Sequence, residues 1–325
     1  NVMQATIELD ECTGEGRFAL PNHTILNAVK ELPEQPLQMT IDDQSLSVVV
    51  DYQNGSFSLA ALPADDYPVM PDMSDDATVL TLNQQLLAEN ISRSLFATAQ
   101  DEIRPVMGGI LFDLKADGLT VVATDGHKLV RNRILNVVAE EEPTSFILPQ
   151  KPAQLLKGVL AKGEGDVVVR FAANSCEFKY DGGELRCRLI EGRYPNYNSV
   201  IPTNNTNCLT ADRKSMLGAL KRVLPFSSES SRLVRFHLEK GLLRLQASDI
   251  DFATSAKESI ACEYAGTTMD IGFKGDSVCE ILNNLSSDEV TVQLADPSRA
   301  GVFVPVEQPE NQEILMLMMP MLLND

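Results

Sequence analysis

The chain has 325 residues, 44% of them hydrophobic, with 46 acidic residues against 27 basic ones and a formal net charge of −19. That length and apolar content can build two or three domains with substantial cores, and no apolar run reaches the roughly 18 residues needed to cross a bilayer, so a cytoplasmic protein is expected. The charge argues against a uniformly nucleic-acid-binding surface, and there is no P-loop, GxGxxG turn, CxxC pair or metal-type spacing among the six cysteines and three histidines, so neither cofactor nor metal is expected.

In chain order, the elements repeat. Residues 1–72 open inside a strand, "NVMQATIEL", and lead to "FALPNHTILNAVKEL" (18–32): a strand end, a polar break, then an amphipathic helix. Alternating strands follow, "LQMTID", "SLSVVVDY" and "FSLAAL". A helix is expected from Leu82, "LNQQLLAENISRSLFATA", then the strand "GLTVVATD" (118–125). The first pattern returns as "FILPQKPAQLLKGVL" (146–160), with the strands "DVVVRF", "CEFKY" and "LRCRLI" behind it. A helix from Thr210, "TADRKSMLGALKRVL", with Thr210 as a candidate cap, precedes "GLLRLQASD" (241–249). The third copy, "IGFKGDSVCEILNNL" (271–285), is followed by "EVTVQLA" and "GVFVPV". The stripe Ile25, Ala28, Leu32 recurs as Ala153, Leu156, Leu160 and as Val278, Ile281, Leu285, each one helix face laid on a core.

The expected fold is therefore α+β: three tandem domains with helices on one face of antiparallel sheets, bounded at 1–72, 73–202 and 203–325. Two copies of a unit of roughly 125 residues are complete, whereas 1–72 holds only a second half, so about 50 residues of the first copy are expected to be missing. Charge is uneven. Residues 1–80 carry 14 Asp or Glu against Arg17 and Lys30, while 211–224 carry Arg213, Lys214, Lys221 and Arg222 against Asp212 alone.

Three further stretches bear on function. "LPADDYPVMP" (62–71) and "EGRYPNYNSVIP" (191–202) close the first two copies and read as extended linkers, because proline cannot join a central ladder. "ATDGHKL" places Asp125 and His127 around Gly126, and the chain ends in a methionine-rich "ILMLMMPMLL". Asp125 and His127 could form a carboxylate–imidazole pair of a small-molecule hydrolase. Against this, no serine or cysteine lies in a nucleophile-elbow context, and the matching Ala247-Ser248-Asp249 lacks the Gly-His, so the aspartate is expected to brace a turn. No catalytic residue is assigned, and a repeat-built interaction scaffold remains the other alternative.

"ATDGHKL", "EGRYPNY" followed by "VIP", "LPADDYP" and the terminal "MMPML" together resemble the bacterial DNA sliding clamps, the β subunits of replicative DNA polymerase, over essentially the whole chain. The resemblance implies a ring-forming, non-catalytic processivity factor with three clamp domains. A hydrophobic groove between domains two and three would receive linear peptides from the polymerase, the clamp loader and repair polymerases. Carried over by position, that groove is Met107, Thr124, Gly126, His127, Lys128, Leu129, Pro195, Val200, Leu317, Met319, Pro320 and Met321. Lys128 and Leu322 replace the arginines common in the family, which puts the polar contacts of those arginines in doubt. The resemblance also implies duplex DNA held topologically and without sequence preference. Arg93, Lys214, Lys221 and Arg222 would face the DNA, although a few Lys and Arg can equally just solvate a helix. A head-to-tail homodimer would join Phe57 and Leu59 of one subunit to Val223 and Leu224 of the other, positions that read equally well as core, and loss of half of domain one would weaken it.

Overall fold

A computed structural model describes residues 1–67, 73, 74, 76–139 and 142–323; the Pro68 end of the first Tyr-Pro linker and the 72/73 boundary lie outside these. The chain forms two compact bodies, a small one spanning Thr6–Asp72 and a large one of Met3–Ala5 and Met73–Asp325. None of the described helices is long and apolar enough to cross a membrane.

The small body has one helix, α1 (Asn22–Lys30), and an antiparallel sheet of Gln38–Asp42, Ser47–Tyr52 and Gly55–Ala60 in that order. Its buried core is thin, consisting of Val48, Val50 and Ala61. The stripe Ile25, Ala28 and Leu32, expected to lie on a core, is only half-buried, and no residue of α1 is buried. The same stripe is sealed in the large body: Ala153, Leu156 and Leu160 of α3 (Gln150–Leu160) are fully buried, and Val278, Ile281 and Leu285, on and just after α5 (Gly275–Asn284), are at most 2% exposed.

In the large body, nine antiparallel strands form one continuous sheet. Their order is Thr144–Pro149, Gly109–Lys115, Gly118–Thr124, Lys128–Ile134, Gln312–Met318, Gly301–Pro305, Glu289–Leu294, Asn207–Asp212 and Glu263–Tyr264. The seam at its centre pairs Lys128–Ile134 with the last strand of the chain, in register from Lys128 opposite Met318 to Ile134 opposite Gln312. Two smaller sheets flank it, one running Val2–Ala5, Gly183–Arg188, Ser175–Tyr180, Asp166–Phe171, Thr78–Asn83 and the other Thr254–Ala261, Leu242–Asp249, Leu233–Glu239, Met269–Lys274. α2 (Gln84–Leu95) packs on α3, and α4 (Arg213–Val223) packs on α5.

Both first-type helices start later than their periodicity predicts. Leu82 lies within the strand Thr78–Asn83, and Asn83 caps α2 by accepting from Leu86 N at 3.1 Å. Thr210 is likewise a strand residue whose hydroxyl meets that of Thr291, and the cap of α4 is Asp212, whose Oδ1 accepts from Ser215 N at 2.6 Å. The apolar alternation of the preceding strand runs unbroken into the helical period, which masks the junction in the sequence.

Candidate functional site

The site grows from the turn between Gly118–Thr124 and Lys128–Ile134. Asp125 Oδ1 accepts from the backbone N–H of His127 at 2.8 Å and of Lys128 at 2.9 Å, closing an Asx turn. Thr124 Oγ1 donates to Lys128 O at 2.8 Å and accepts from Gly126 N at 3.1 Å. Gly126 takes φ +90°, a conformation that favours glycine, and a Cβ there would stand 2.7 Å from Arg104 Nη1 and displace that guanidinium. Arg104 locks the turn from outside, donating to Asp125 O at 2.6 Å while paired to Asp101 at 2.7 Å. Asp249 repeats the arrangement, accepting from Asp251 N and Phe252 N. The repeated aspartate braces the chain, as its recurrence without Gly-His suggested.

Strand alternation then divides the expected groove residues between two faces. On one, Thr124 lies opposite Leu129, and Leu129 opposite Leu317, so the two hairpin residues and the distant Leu317 form one cross-strand row. Leu111, Val122, Ile147 and Ala300 extend this apolar face, and the segment 190–201 lays Tyr194 and Tyr197 on it. Tyr194 is 9% exposed, and its oxygen accepts from Thr124 N at 3.2 Å; burial pushes its phenol well above the usual tyrosine range, so it stays neutral. Tyr197 donates to Asp113 Oδ2 at 2.7 Å, and burial raises its phenol too. Pro195 and Val200 are exposed on the same segment. The segment expected to be a plain linker is thus a packed wall, and the two tyrosines and Ala300 are site residues that the motif comparison missed. A Tyr-Pro-x-Tyr pair inside a supposed linker was the available signal, since aromatic rings seldom stay in solvent.

At the end of the row, Met319 donates its N–H to His127 O at 2.8 Å, tying the carboxyl-terminal segment to the turn. Met319 is 40% exposed, Pro320 and Met321 are half-buried, and Leu322 stands 86% exposed. Met321 N donates to Gly272 O at 2.8 Å. Within Gln312–Met318, Leu317 faces the row, while Met316 and Met318 sit in the helix-side core, so the terminal run is core strand and site wall at once. Met107, 8% exposed in the 3-10 turn Pro105–Gly108, lies beside Gly126.

Lys128 does not join this face. One position before Leu129, its side chain points to the helix side, where Nζ pairs with Glu280 Oε2 of α5 at 2.7 Å and lies 5.4 Å from the Phe96 ring centre. There it lines, with His127, Asp125, Arg104 and Glu280, a polar cleft of about 620 Å³.

The expected DNA-facing and interface residues also separate. Lys214, Lys221 and Arg222 are exposed on α4, although Arg222 is held by a two-point ion pair to Glu258. Arg93 is 7% exposed and lies 3.7 Å from Glu89, because α2 is enclosed by α3 and the surrounding strands; burial lowers the pKa of its guanidinium. It cannot reach a phosphate in this arrangement. Phe57 and Leu59 are half-buried against the small core. Val223 and Leu224, at 1% and 6% exposure, are core residues; the exposed apolar residue at that end of α4 is Phe226, at 40%.

The apolar row, the aromatic wall and the braced turn thus lie together around Thr124, Leu129 and Leu317. Family models for the DNA polymerase III beta subunit match in succession: N-terminal domain over residues 2–71, central domain over 81–196 and C-terminal domain over 198–322. The beta sliding clamp of Pseudomonas putida KT2440 is 27% identical over 316 residues, 97% of this chain and 84% of that protein; that of Salmonella typhimurium LT2 is 28% identical over 319 residues, 98% and 85%. The Pseudomonas aeruginosa sliding clamp bound to griselimycin superposes with a TM-score of 0.89 at 24% identity, covering 99% of this chain and 85% of that one. The Thermotoga maritima DNA polymerase III beta subunit gives a TM-score of 0.88 at 24% identity, with 99% and 86% covered. The chain belongs to the DNA polymerase III beta subunit family, the sliding clamps, which are processivity accessory subunits and not catalytic enzymes. The hydrolase and scaffold alternatives find no support in these comparisons, nor does the expected loss of half of the first domain, since the N-terminal-domain model matches residues 2–71.

Proposed function

We propose that the chain is a ring-forming clamp that holds duplex DNA topologically and carries polymerases and other replication proteins as peptides docked on the Thr124–Leu129–Leu317 row. The observation that carries this reading is the row itself. An apolar strip with a two-tyrosine wall, rimmed by the exposed His127, Pro195, Val200 and Met319, suits a short extended peptide with aliphatic anchors. Met107, Gly126, Pro320 and Met321 complete the rim, and Lys128 acts from behind by pinning the turn to α5. The proposed domains are 1–72, 73–202 and 203–325. Lys214 and Lys221 would make weak, salt-sensitive phosphate contacts, consistent with sliding. Phe57 and Leu59 of one subunit, with Phe226 of the next, would supply apolar contacts of a head-to-tail homodimer.

Titration with a fluorescent clamp-binding peptide, followed by polarisation, tests the groove. Saturable binding is expected, lost on deletion of 319–325 and weakened several-fold by His127→Ala with no change in melting temperature. A folded protein that binds no peptide, or binds it equally after the deletion, contradicts the reading.

A further inference from the structure

Arg131 is a cation in apolar surroundings. It lies two residues beyond Leu129 on the strand Lys128–Ile134, so strand alternation puts it on the face of the Thr124–Leu129–Leu317 row. It stands between Val122 and Leu315, with Leu111 beyond Val122, and so takes one place in a second cross-strand row that is otherwise apolar. Val122 and Leu111 are buried, while Arg131 and Leu315 are half-buried.

No side chain neutralises it. Among the described residues the Arg131 side chain makes no hydrogen bond or ion pair, and its Nε is buried without a partner. The nearby carboxylates are engaged elsewhere: Glu313 pairs with Arg133 at 2.8 Å, and Asp113 takes Lys115 and Tyr197, each at 2.7 Å. Burial, with repulsion from Arg133 added, lowers the pKa of the Arg131 guanidinium, and Glu313 and Tyr197 offset this only in part. Arg133, one strand period further along, shows the contrast, with Glu313 and Asp117 both within 2.9 Å. A half-buried charge without a partner is destabilising, and what this one lacks is an anion.

We propose that Arg131 is a specificity residue of the docking row that binds the carboxylate of an Asp or Glu in the docked partner, a role that rests on the peptide reading of the row. Spacing fixes where that acidic residue belongs. Leu129 and Arg131 are one two-residue strand period apart, about 7 Å, and alternate side chains of an extended peptide have the same spacing. A peptide running along Lys128–Ile134 with an aliphatic side chain over Leu129 therefore brings the side chain two positions away over Arg131. The guanidinium offers paired N–H donors to a carboxylate there, and the apolar surroundings that leave it unpaired strengthen the contact.

The probe is the fluorescent clamp-binding peptide, made with Glu or with Gln two positions after its aliphatic anchor. A second pair carries that residue two positions before the anchor, because the direction of the bound peptide decides which side meets Arg131. In anisotropy titrations of the full chain, the Glu peptide of one pair is expected to bind about tenfold more tightly than its Gln counterpart. The net charge of −19 would by itself disfavour the Glu peptide, so such a preference reports a local cation. Arg131→Gln should abolish the preference, leave affinity for the Gln peptides unchanged and melt no lower than the parent, while Arg131→Lys should restore part of the preference. Saturable binding with equal affinity for Glu and Gln in both pairs overturns the role of Arg131 and leaves the peptide reading standing. So does a preference that survives Arg131→Gln. Failure of all four peptides to bind the folded chain overturns the peptide reading and the role of Arg131 with it.

Discussion

At the scale of single residues, the chemistry of "TDGHK" is conformational. Two backbone N–H groups converge on Asp125 Oδ1, and the same two-donor arrangement recurs at Asp249, where no Gly-His follows. An asparagine keeps the accepting oxygen and alanine does not. Asp125→Asn should therefore retain peptide affinity, while Asp125→Ala should lose about 1–2 kcal/mol of local stability from two such bonds, read as a several-fold rise in peptide Kd. Tyr194→Phe removes the buried acceptor of Thr124 N and should cost about 1–2 kcal/mol in urea unfolding, with the ring retained in the wall. An unchanged denaturation midpoint in that variant would mean the bond contributes nothing. The brace was legible in the sequence, because repetition with variation separates a shared structural aspartate from a specialised neighbour. The direction of Lys128 was not: motif matching ignores the two-residue period, and one step along the strand moves a side chain from the row to the helix face.

At the scale of elements, the repeated stripes gave the helices correctly, but not which of them would be buried. Periodicity reports an amphipathic face, whereas burial depends on whether another element covers it, which is why α1 and α5 share a pattern and differ in exposure. Arg93 was misplaced for the same reason: polar neighbours in the sequence do not reveal that α2 is enclosed on several sides. Helix starts were read two or three residues early, and the cap offers a direct check. Hydrogen bonds from Ser215 hold the Asp212 carboxyl below its ordinary 3.8, so the cap is fully formed above that pH and is lost as the pH falls through the lower folded value. Asp212→Ala should then lower stability by about 1 kcal/mol at pH 7, and the difference from the parent should shrink below pH 3.8. Thr210→Ala, at the position first expected to cap, should leave the helix N-terminus intact.

At the scale of the whole molecule, a net charge of −19 and a DNA-bound role are compatible only if retention is topological. Diffuse phosphate attraction is weak for such a chain, and on α4 the exposed cations are Lys214 and Lys221, with Arg222 already engaged by Glu258. The nine-stranded sheet adds a mechanical point. By joining Lys128–Ile134 to Gln312–Met318 it puts the proposed peptide row on the seam between the two halves of the large body, so a partner docked there would be held by both. On the proposed reading, the protein stays on DNA by encircling it. The direct measurement is retention of labelled protein on closed circular duplex, after incubation with a clamp loader and ATP, before and after cutting the circle at a single site. Co-elution with the circle in moderate salt, and release when the circle is opened, are expected. Equal retention on circular and linear DNA, or none on either, would contradict it.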